Sequence, residues 1–281
     1  MRKSRLAVPA WDICWHTSPT TAHVFLPSGG GKARSGVFNQ IQVAKEPGSE
    51  LFSFLPGFKT DTDESKRLPS GICTGKIKNK SVVCLLMNDS CILMSVNFAA
   101  AASERSKDGK KKNDEIEECF TFTRLVEFKA GFGATEDDSG VNCSCITASG
   151  HIVTGGEDGS VRLWEVSFEK GSGACTVKQL SELKGHKGPV MALSLHPSEP
   201  WVGSASRDGS CMLWQLNDDE CLSIIPAMEG LAGKGSASST KPSPLQCRGC
   251  WCVACFLFSF ISLSLSLSLS SFCAQCIILY F

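Results

Sequence analysis

The stretch Thr154-Gly-Gly-Glu-Asp158-Gly159-Ser-Val-Arg-Leu-Trp164 returns fifty residues later as Ser204-Ala-Ser-Arg-Asp208-Gly209-Ser-Cys-Met-Leu-Trp214. In each copy a Ser or Thr opens a short run of small residues, Asp-Gly breaks it, and an alternating run ends on Trp. Asp-Gly between two such runs is a tight-turn signal, because Gly accepts the positive φ that the turn demands. Each copy therefore reads as a hairpin, and a hairpin repeated at this interval reads as one unit of a radial all-β array. The interval is slightly long for such a unit, and the residues GSGACTVKQ, 171–179, read as the loop that lengthens it.

The second copy has a His upstream, so His186, Ser204, Asp208 and Trp214 supply four groups able to link neighbouring strands by hydrogen bonds. This set resembles the structural network of a WD-type β-propeller blade. The first copy has Thr154, Asp158 and Trp164, but Thr135-Glu136 stands at the upstream position, which marks it as degenerate. Two blades are thus expected over 141–216, within an all-β WD-repeat propeller. His186 and Asp208 belong to the scaffold in this reading rather than to a catalytic triad, and the chain is expected to bind partners rather than to catalyse covalent chemistry. The remaining histidines, at 16, 23, 151 and 196, form no metal-like cluster.

Composition agrees with this class. Lys+Arg and Asp+Glu balance at 28 each, so no global field favours nucleic acid or anionic lipid. With 42% hydrophobic residues there is material for a core, and 26 Gly with one Tyr suit a turn-rich β chain. Sixteen Cys suggest disulfides, but Cys143, Cys145, Cys175, Cys211 and Cys221 fall in or beside expected strands, where a thiol acts as a small buried hydrophobe. The first sixteen residues carry bases without the apolar run of a secretory signal, so a reduced cytosolic body is expected. Cys247-x-x-Cys250 and Cys252-x-x-Cys255 are too close together for a two-knuckle zinc site, and no zinc is expected.

Strands are expected at His23–Leu26, Val37–Val43, Ser81–Met87 and Cys91–Phe98. The charged run 103–118, with Lys110–Lys112 inside it, reads as a solvated insertion between strands. Propeller character extends over 1–226, followed by a Gly/Ser-rich linker, 227–248, and an uncharged low-complexity tail, 249–281, containing SLSLSLSLSS. Two readings of the tail stand. Residues 251–281 exceed the ~20 apolar positions that span a bilayer, while their serine alternation is that of translated simple-repeat read-through.

Between two expected strands lies Ser28-Gly29-Gly30-Gly31-Lys32-Ala33-Arg34-Ser35-Gly36-Val37-Phe38-Asn39. It is no phosphate-binding P-loop, because Lys32 precedes Ala and a β-type alternation follows instead of a helix. On local grounds it is a Gly-rich hairpin. Taken with Asp61-Thr-Asp-Glu-Ser65, the basic insertion and both blades, in that order, it resembles the prolactin regulatory element-binding family over roughly 20–225. That family comprises endoplasmic-reticulum exchange factors for the small GTPase that starts coat protein complex II assembly.

The resemblance implies a loop that a potassium ion orders and that contacts the GTPase. Gly30, Gly31 and Gly36 would shape it, Val37 would offer an apolar contact, and Asn39 would stabilise it or touch the partner. Ser28 and Phe38 depart from the family pattern. The resemblance also implies a seven-bladed propeller and a carboxy-terminal membrane helix, of which this chain would hold about half the blades, as a truncated product. Localisation follows the tail: the cytosolic face of the endoplasmic-reticulum membrane if it inserts, the cytosol if it does not. Three functions remain in play, namely exchange factor, non-exchanging facilitator of a membrane transporter's exit, and WD-repeat scaffold with no GTPase partner. No nucleic acid or small-molecule substrate is expected.

Overall fold

The computed structural model describes residues 9–17, 22–29, 39–45, 53–59, 69–101, 117–133, 135, 139–169, 174–196, 200–216 and 220–225. Within them the chain is all β. Sixteen strands are arranged as four sheets, each an antiparallel meander taken in chain order. The first blade is β1 (Cys14–Thr17), β2 (Ala22–Ser28), β3 (Gln40–Lys45) and β4 (Ser53–Lys59). The second is β5 (Gly71–Ile77), β6 (Lys80–Met87), β7 (Ser90–Ala101) and β8 (Glu117–Lys129). The third is β9 (Val141–Ile146), β10 (Ile152–Gly156), β11 (Ser160–Phe168) and β12 (Cys175–Lys184). The fourth is β13 (Val190–Leu195), β14 (Trp201–Ser206), β15 (Cys211–Gln215) and β16 (Glu220–Ile225). The first strands of successive blades, β1, β5, β9 and β13, lie side by side, so the blades radiate from them as in a partial β-propeller.

Local chemistry sets the hairpins. Lys78 and Asn79 both take positive φ, 47° and 65°, between the paired residues Ile77 and Lys80. That is the two-residue turn whose twist suits antiparallel strands, and Asn tolerates it. Gly159 and Gly209, at φ 80° and 86°, follow Asp158 and Asp208 in the corresponding turns of the third and fourth blades.

Most of the core lies between blades, while a small cluster of Val24, Leu26 and Ala44 with Ala10, Ile13 and Trp15 belongs to the first blade and the segment entering it. Along β6, Val83, Leu85 and Met87 pack toward the first blade's Phe25, Ile41 and Val43. Val82, Cys84 and Leu86 turn the other way, toward the third blade's Ile146, Ile152 and Trp164. Alternation puts successive side chains on opposite faces, so a blade covered on both sides needs an unbroken apolar run. The sequence SVVCLLM supplies one. A third cluster, including Val153, Leu163, Leu183, Val190, Val202 and Trp214, closes the junction of the third and fourth blades.

Several expectations shift. The strand expected over Val37–Val43 is Gln40–Lys45, with 37–38 outside the described residues, and the one expected to end at Phe98 continues to Ala101. The segment 171–179 is not all loop. From Cys175 it forms β12, the outer strand of the third blade, paired with β11 from Phe168↔Cys175. Its one-sided alternation, with Thr176 and Lys178 exposed and Cys175 buried, is that of a blade's outer strand. The insertion 103–116, the linker 227–248 and the tail 249–281 lie outside the described residues. The described cysteines Cys14, Cys73, Cys84, Cys91, Cys143, Cys145, Cys175 and Cys211 are free thiols. Burial pushes the Cys14 thiol up to about 12, which keeps it protonated and unreactive.

Gly155 marks the closest approach of the third and fourth blades. A Cβ there would lie 2.6 Å from Val190 Cγ1 and 2.7 Å from Cys143 Sγ. Gly155→Val is therefore expected to wedge the junction and cost about 1–3 kcal/mol. Gly140→Ala, whose Cβ meets only Glu157 Cβ at 3.8 Å, should be close to neutral. Urea unfolding of the full chain compares them; equal midpoints would contradict this packing.

Candidate functional site

In every blade the turn from the second to the third strand sits beside the segment that leads into a blade. Ala130 and Gly131 donate to Asp89 O, Val141 N donates to Asn88 O, and Arg207 N donates to Pro189 O. These turns and incoming segments make one face of the propeller. The glycine loop joins β2 to β3, and its described base, Ser28, Gly29 and Asn39, lies at this same face, where Gly29 N donates to Pro9 O.

On the fourth blade the face is held by a chain of hydrogen bonds. Trp214 Nε1 donates to Ser204 Oγ at 2.8 Å, and Ser204 Oγ lies 2.6 Å from His186 Nε2. His186 Nδ1 lies 2.8 Å from Ser210 Oγ, which donates to Asp208 Oδ1 at 2.7 Å. Ser210 spends its one hydroxyl proton on Asp208 and so accepts from His186 Nδ1–H. Nε2 of the neutral ring is then an acceptor and takes the hydroxyl proton of Ser204, which itself accepts from the indole. Direct acceptance of the imidazole by Asp208 is not made: Nδ1 and Oδ2 are 3.6 Å apart. Asp208 instead receives the amides of Lys187 and Ser210. The relay through Ser210 was not foreseen, although Asp-Gly-Ser showed a hydroxyl two residues after the Asp.

The electrostatics follow from burial. The His186 side chain is fully enclosed, and burial lowers its pKa against the opposing pull of Asp208. Burial works against ionisation of Asp208, yet its bonds from Ser210 and from the Lys187 amide outweigh this and hold it at about 2. Ser204 is 2% exposed with its bonding capacity engaged. It has no open path to a substrate, and the constellation has the form of a structural brace.

The third blade uses the same positions differently. Trp164 Nε1 donates to Thr154 Oγ1 at 2.9 Å, as Trp214 does to Ser204. The residue occupying the place of His186, however, is Phe132, not Thr135-Glu136. Its ring stacks on Trp164 with centroids 6.5 Å apart, where His186 lies 6.2 Å from Trp214. Thr135 is exposed. The signal was present in the sequence: Leu125-Val-Glu-Phe-Lys129 parallels Leu180-Ser-Glu-Leu-Lys184, and Ala130 is a one-residue insertion before Gly131-Phe132. With no imidazole to hold, Asp158 pairs with Arg162, which also binds Glu182 at 2.7 Å.

The glycine loop is described only at its base. Gly30, Gly31, Gly36 and Val37 lie outside the described residues. Ser28 Oγ donates to Gln40 O at 3.2 Å and accepts from Gln42 Nε2 at 2.9 Å, and Ser28 pairs with Gln40 across the strands. Asn39 is buried, 3% exposed, so close to Gly29 that a Cβ on Gly29 would lie 2.1 Å from its Oδ1. Gly29 is at φ 154° and its carbonyl accepts from Trp11 Nε1 at 3.3 Å. Asn39 thus belongs to the base of the loop, not to its tip. Among the described residues no cluster of three or more His, Cys, Asp or Glu is placed to hold a metal ion.

Residues 131–165 and 177–215 match the family model described as WD domain, G-beta repeat. The first match runs from the segment entering the third blade into β11. The second begins within β12 of the third blade and ends with β15 of the fourth, so the second repeat ties two neighbouring blades. Curated relatives include mouse (Mus musculus) Pre-mRNA-processing factor 19, 29% identical over 130 residues, covering 45% of this chain and 24% of that protein. Ribosome biogenesis protein YTM1 of Scheffersomyces stipitis is 37% identical over 81 residues, 27% of this chain and 17% of that one. The chain therefore spans about a quarter or less of the length of these two relatives. Among solved structures, Chaetomium thermophilum Sqt1 bound to the N-terminus of a ribosomal protein aligns with a TM-score of 0.50 and 12% identity, covering 78% of this chain and 51% of that one. That likeness concerns the fold alone.

The brace makes two predictions. Ser204→Ala strands the Trp214 N–H and His186 Nε2, and should cost about 1–3 kcal/mol for each buried group left unpaired; a loss below about 0.5 kcal/mol in urea unfolding would contradict the relay. The pH dependence has a definite sign. Since the folded pKa of His186 lies below its ordinary 6.5, the unfolded chain takes the proton first. Stability present above pH 6.5 is lost as pH falls from there through the folded value. His16, lowered by its burial and by His23, adds to this step. Asp208 contributes a second loss between its ordinary 3.8 and about 2. His186→Asn should shrink the first step and leave part of it to His16, as read by melting temperature against pH.

Proposed function

We propose that this WD-repeat chain is a protein-interaction scaffold whose working surface is the face bearing the glycine loop, and that its partner is the small GTPase initiating coat protein complex II assembly, for which it serves as exchange factor. The observation that carries this reading is the clamped base of the loop. Ser28 closes it with hydrogen bonds to Gln40 and Gln42, and Gly29 packs closely against buried Asn39, so the two ends from which 30–38 depart are fixed by the strand pair. The Ser28 departure from the family pattern is accommodated, since its hydroxyl is absorbed by Gln40 and Gln42 rather than directed into the loop.

The mechanism needs no covalent step. A scaffold that binds the nucleotide-free GTPase more tightly than the GDP-bound form raises the rate of GDP loss, and GTP then enters by mass action. Potassium belongs to the same proposal. Such a cation takes oxygen donors, which the Asn39 side-chain oxygen at the base and groups of 30–38 would supply. Residence at the endoplasmic-reticulum surface through 251–281 is likewise a proposal, tested by carbonate extraction of the expressed chain.

A scaffold without a GTPase partner is the second reading. It is favoured by the likeness to proteins named for pre-mRNA processing and ribosome biogenesis. Replacing 30–38 by a two-residue turn is expected to lower stimulated GDP release about tenfold or more, a loss of about 1.4 kcal/mol in the transition state, while the melting temperature stays unchanged. A fluorescent-GDP assay reads the first quantity. Capture of the nucleotide-free GTPase without faster GDP release would identify a non-exchanging family member; no capture at all would sink the GTPase assignment and leave the scaffold.

A further inference from the structure

The third blade carries a second feature on this face, independent of the glycine loop. Arg162 occupies the position that Met212 fills in the fourth blade, yet it is a guanidinium only 1% exposed. Its terminal nitrogens bind Asp158 and Glu182, while its Nε has no hydrogen-bond partner. Phe132, 44% exposed, lies over the guanidinium with its centroid 4.9 Å from Cζ. Phe132, Asp158, Arg162, Glu182, Lys184 and His186 line a cleft of about 460 Å³ between the third and fourth blades.

Nothing in the blade's own packing requires this arrangement. The fourth blade meets the same structural demand with a His, a Met and a hydrogen-bonded relay that ends on Asp208. Burying an ion pair in their place costs desolvation that the fold does not recover in full. The charge around the cleft is also unequal. Lys129 lies 5.7 Å from the Phe132 ring centroid, Lys184 is 71% exposed, and Lys187 is exposed beside His186. Among the described residues, Arg162 and these three lysines outnumber by one the carboxylates Asp158, Glu182 and Asp208, the last of which stays charged while it accepts from Lys187 N and Ser210. Glu182 is the exchangeable partner. It is 30% exposed and shared between Arg162 and Lys184 at 2.7 and 2.9 Å.

We propose that this cleft docks an acidic segment of a protein partner, one carboxylate replacing Glu182 against Arg162 and Lys184 and a neighbouring apolar residue covering the exposed Phe132 ring. The planar guanidinium is already desolvated and fixed by Asp158, so it presents its donors without reorganisation. Lys129 and Lys187 add long-range attraction that salt weakens. The blade gives up its hydrogen-bonded brace to keep this site.

The test uses the full chain and a labelled peptide of alternating Glu and Leu, with an alternating Lys and Leu peptide as control, read by fluorescence polarisation. Selective micromolar binding of the acidic peptide, weakening with salt, is expected. Lys184→Gln should weaken it several-fold without changing the melting temperature. Phe132→His combined with Arg162→Met installs the fourth blade's constellation; it should raise the melting temperature and weaken binding about tenfold or more. Equal affinity for the two peptides, no binding, or unchanged binding in Lys184→Gln would overturn the proposal. So would a phosphoserine peptide bound about tenfold or more tightly than the acidic one, which would assign the cleft to phosphate instead of carboxylate.

Discussion

Burial of the second and third blades between their neighbours is the constraint from which the rest of this structure follows. A four-stranded sheet standing alone leaves one or both faces in water, and here the larger clusters are shared between blades, while the small cluster of Val24, Leu26 and Ala44 lies inside the first. β6 shows the consequence most plainly: six successive residues from Val82 to Met87 are buried, alternately against the blade before and the blade after. Close approach of the inner strands follows from the same demand, and it is why Gly155 faces Val190 and Cys143 without a side chain between. Buried thiols fit this scheme as compact apolar groups, since desolvation holds Cys143 and Cys145 well above the ordinary thiol range.

Packing leaves the loops and turns at the ends of the strands as the surfaces free to vary. The third and fourth blades show how far they can vary on one framework. Both keep the indole bond, Trp164 to Thr154 and Trp214 to Ser204. Beyond it, the fourth blade continues through buried His186 and half-buried Ser210 to Asp208 at the surface, a line of groups that are all satisfied. The third breaks the line at Phe132 and fills the gap with Arg162 and two carboxylates. One solution yields rigidity. The other yields an exposed ring, mobile charge and a cleft, the features through which a propeller face recognises other molecules.

The glycine loop and the cleft therefore share a face but differ in kind. The loop is a connection of the first blade, closed at its base by Ser28, Gly29 and Asn39. The cleft is a substitution inside a repeat, made at the expense of a structural network. Both lie on a WD-repeat framework of the kind that serves protein interaction.

Much of this was legible in the residues alone. The repeated Ser/Thr, Asp-Gly and Trp specified an all-β chain built of WD-type hairpins, because turn chemistry and alternation act locally. They also marked His186, Ser204, Asp208 and Trp214 as scaffold. Spacing was less informative wherever a single insertion shifts the register. Ala130 moved the His position of the third blade onto Phe132 and away from Thr135-Glu136, as the similar ring distances of Phe132 from Trp164 and of His186 from Trp214 show. The strand at Cys175–Lys184 was hidden by its small and polar residues, since an outer strand packs on one side only. Asp208's reliance on Ser210, the burial of Asn39 and the union of Arg162, Glu182 and Phe132 all depend on groups brought together from separate strands and loops. Local sequence determined which elements form and in what repeat; tertiary packing decided which side chains meet, because a contact between strands has no trace in the spacing along either one.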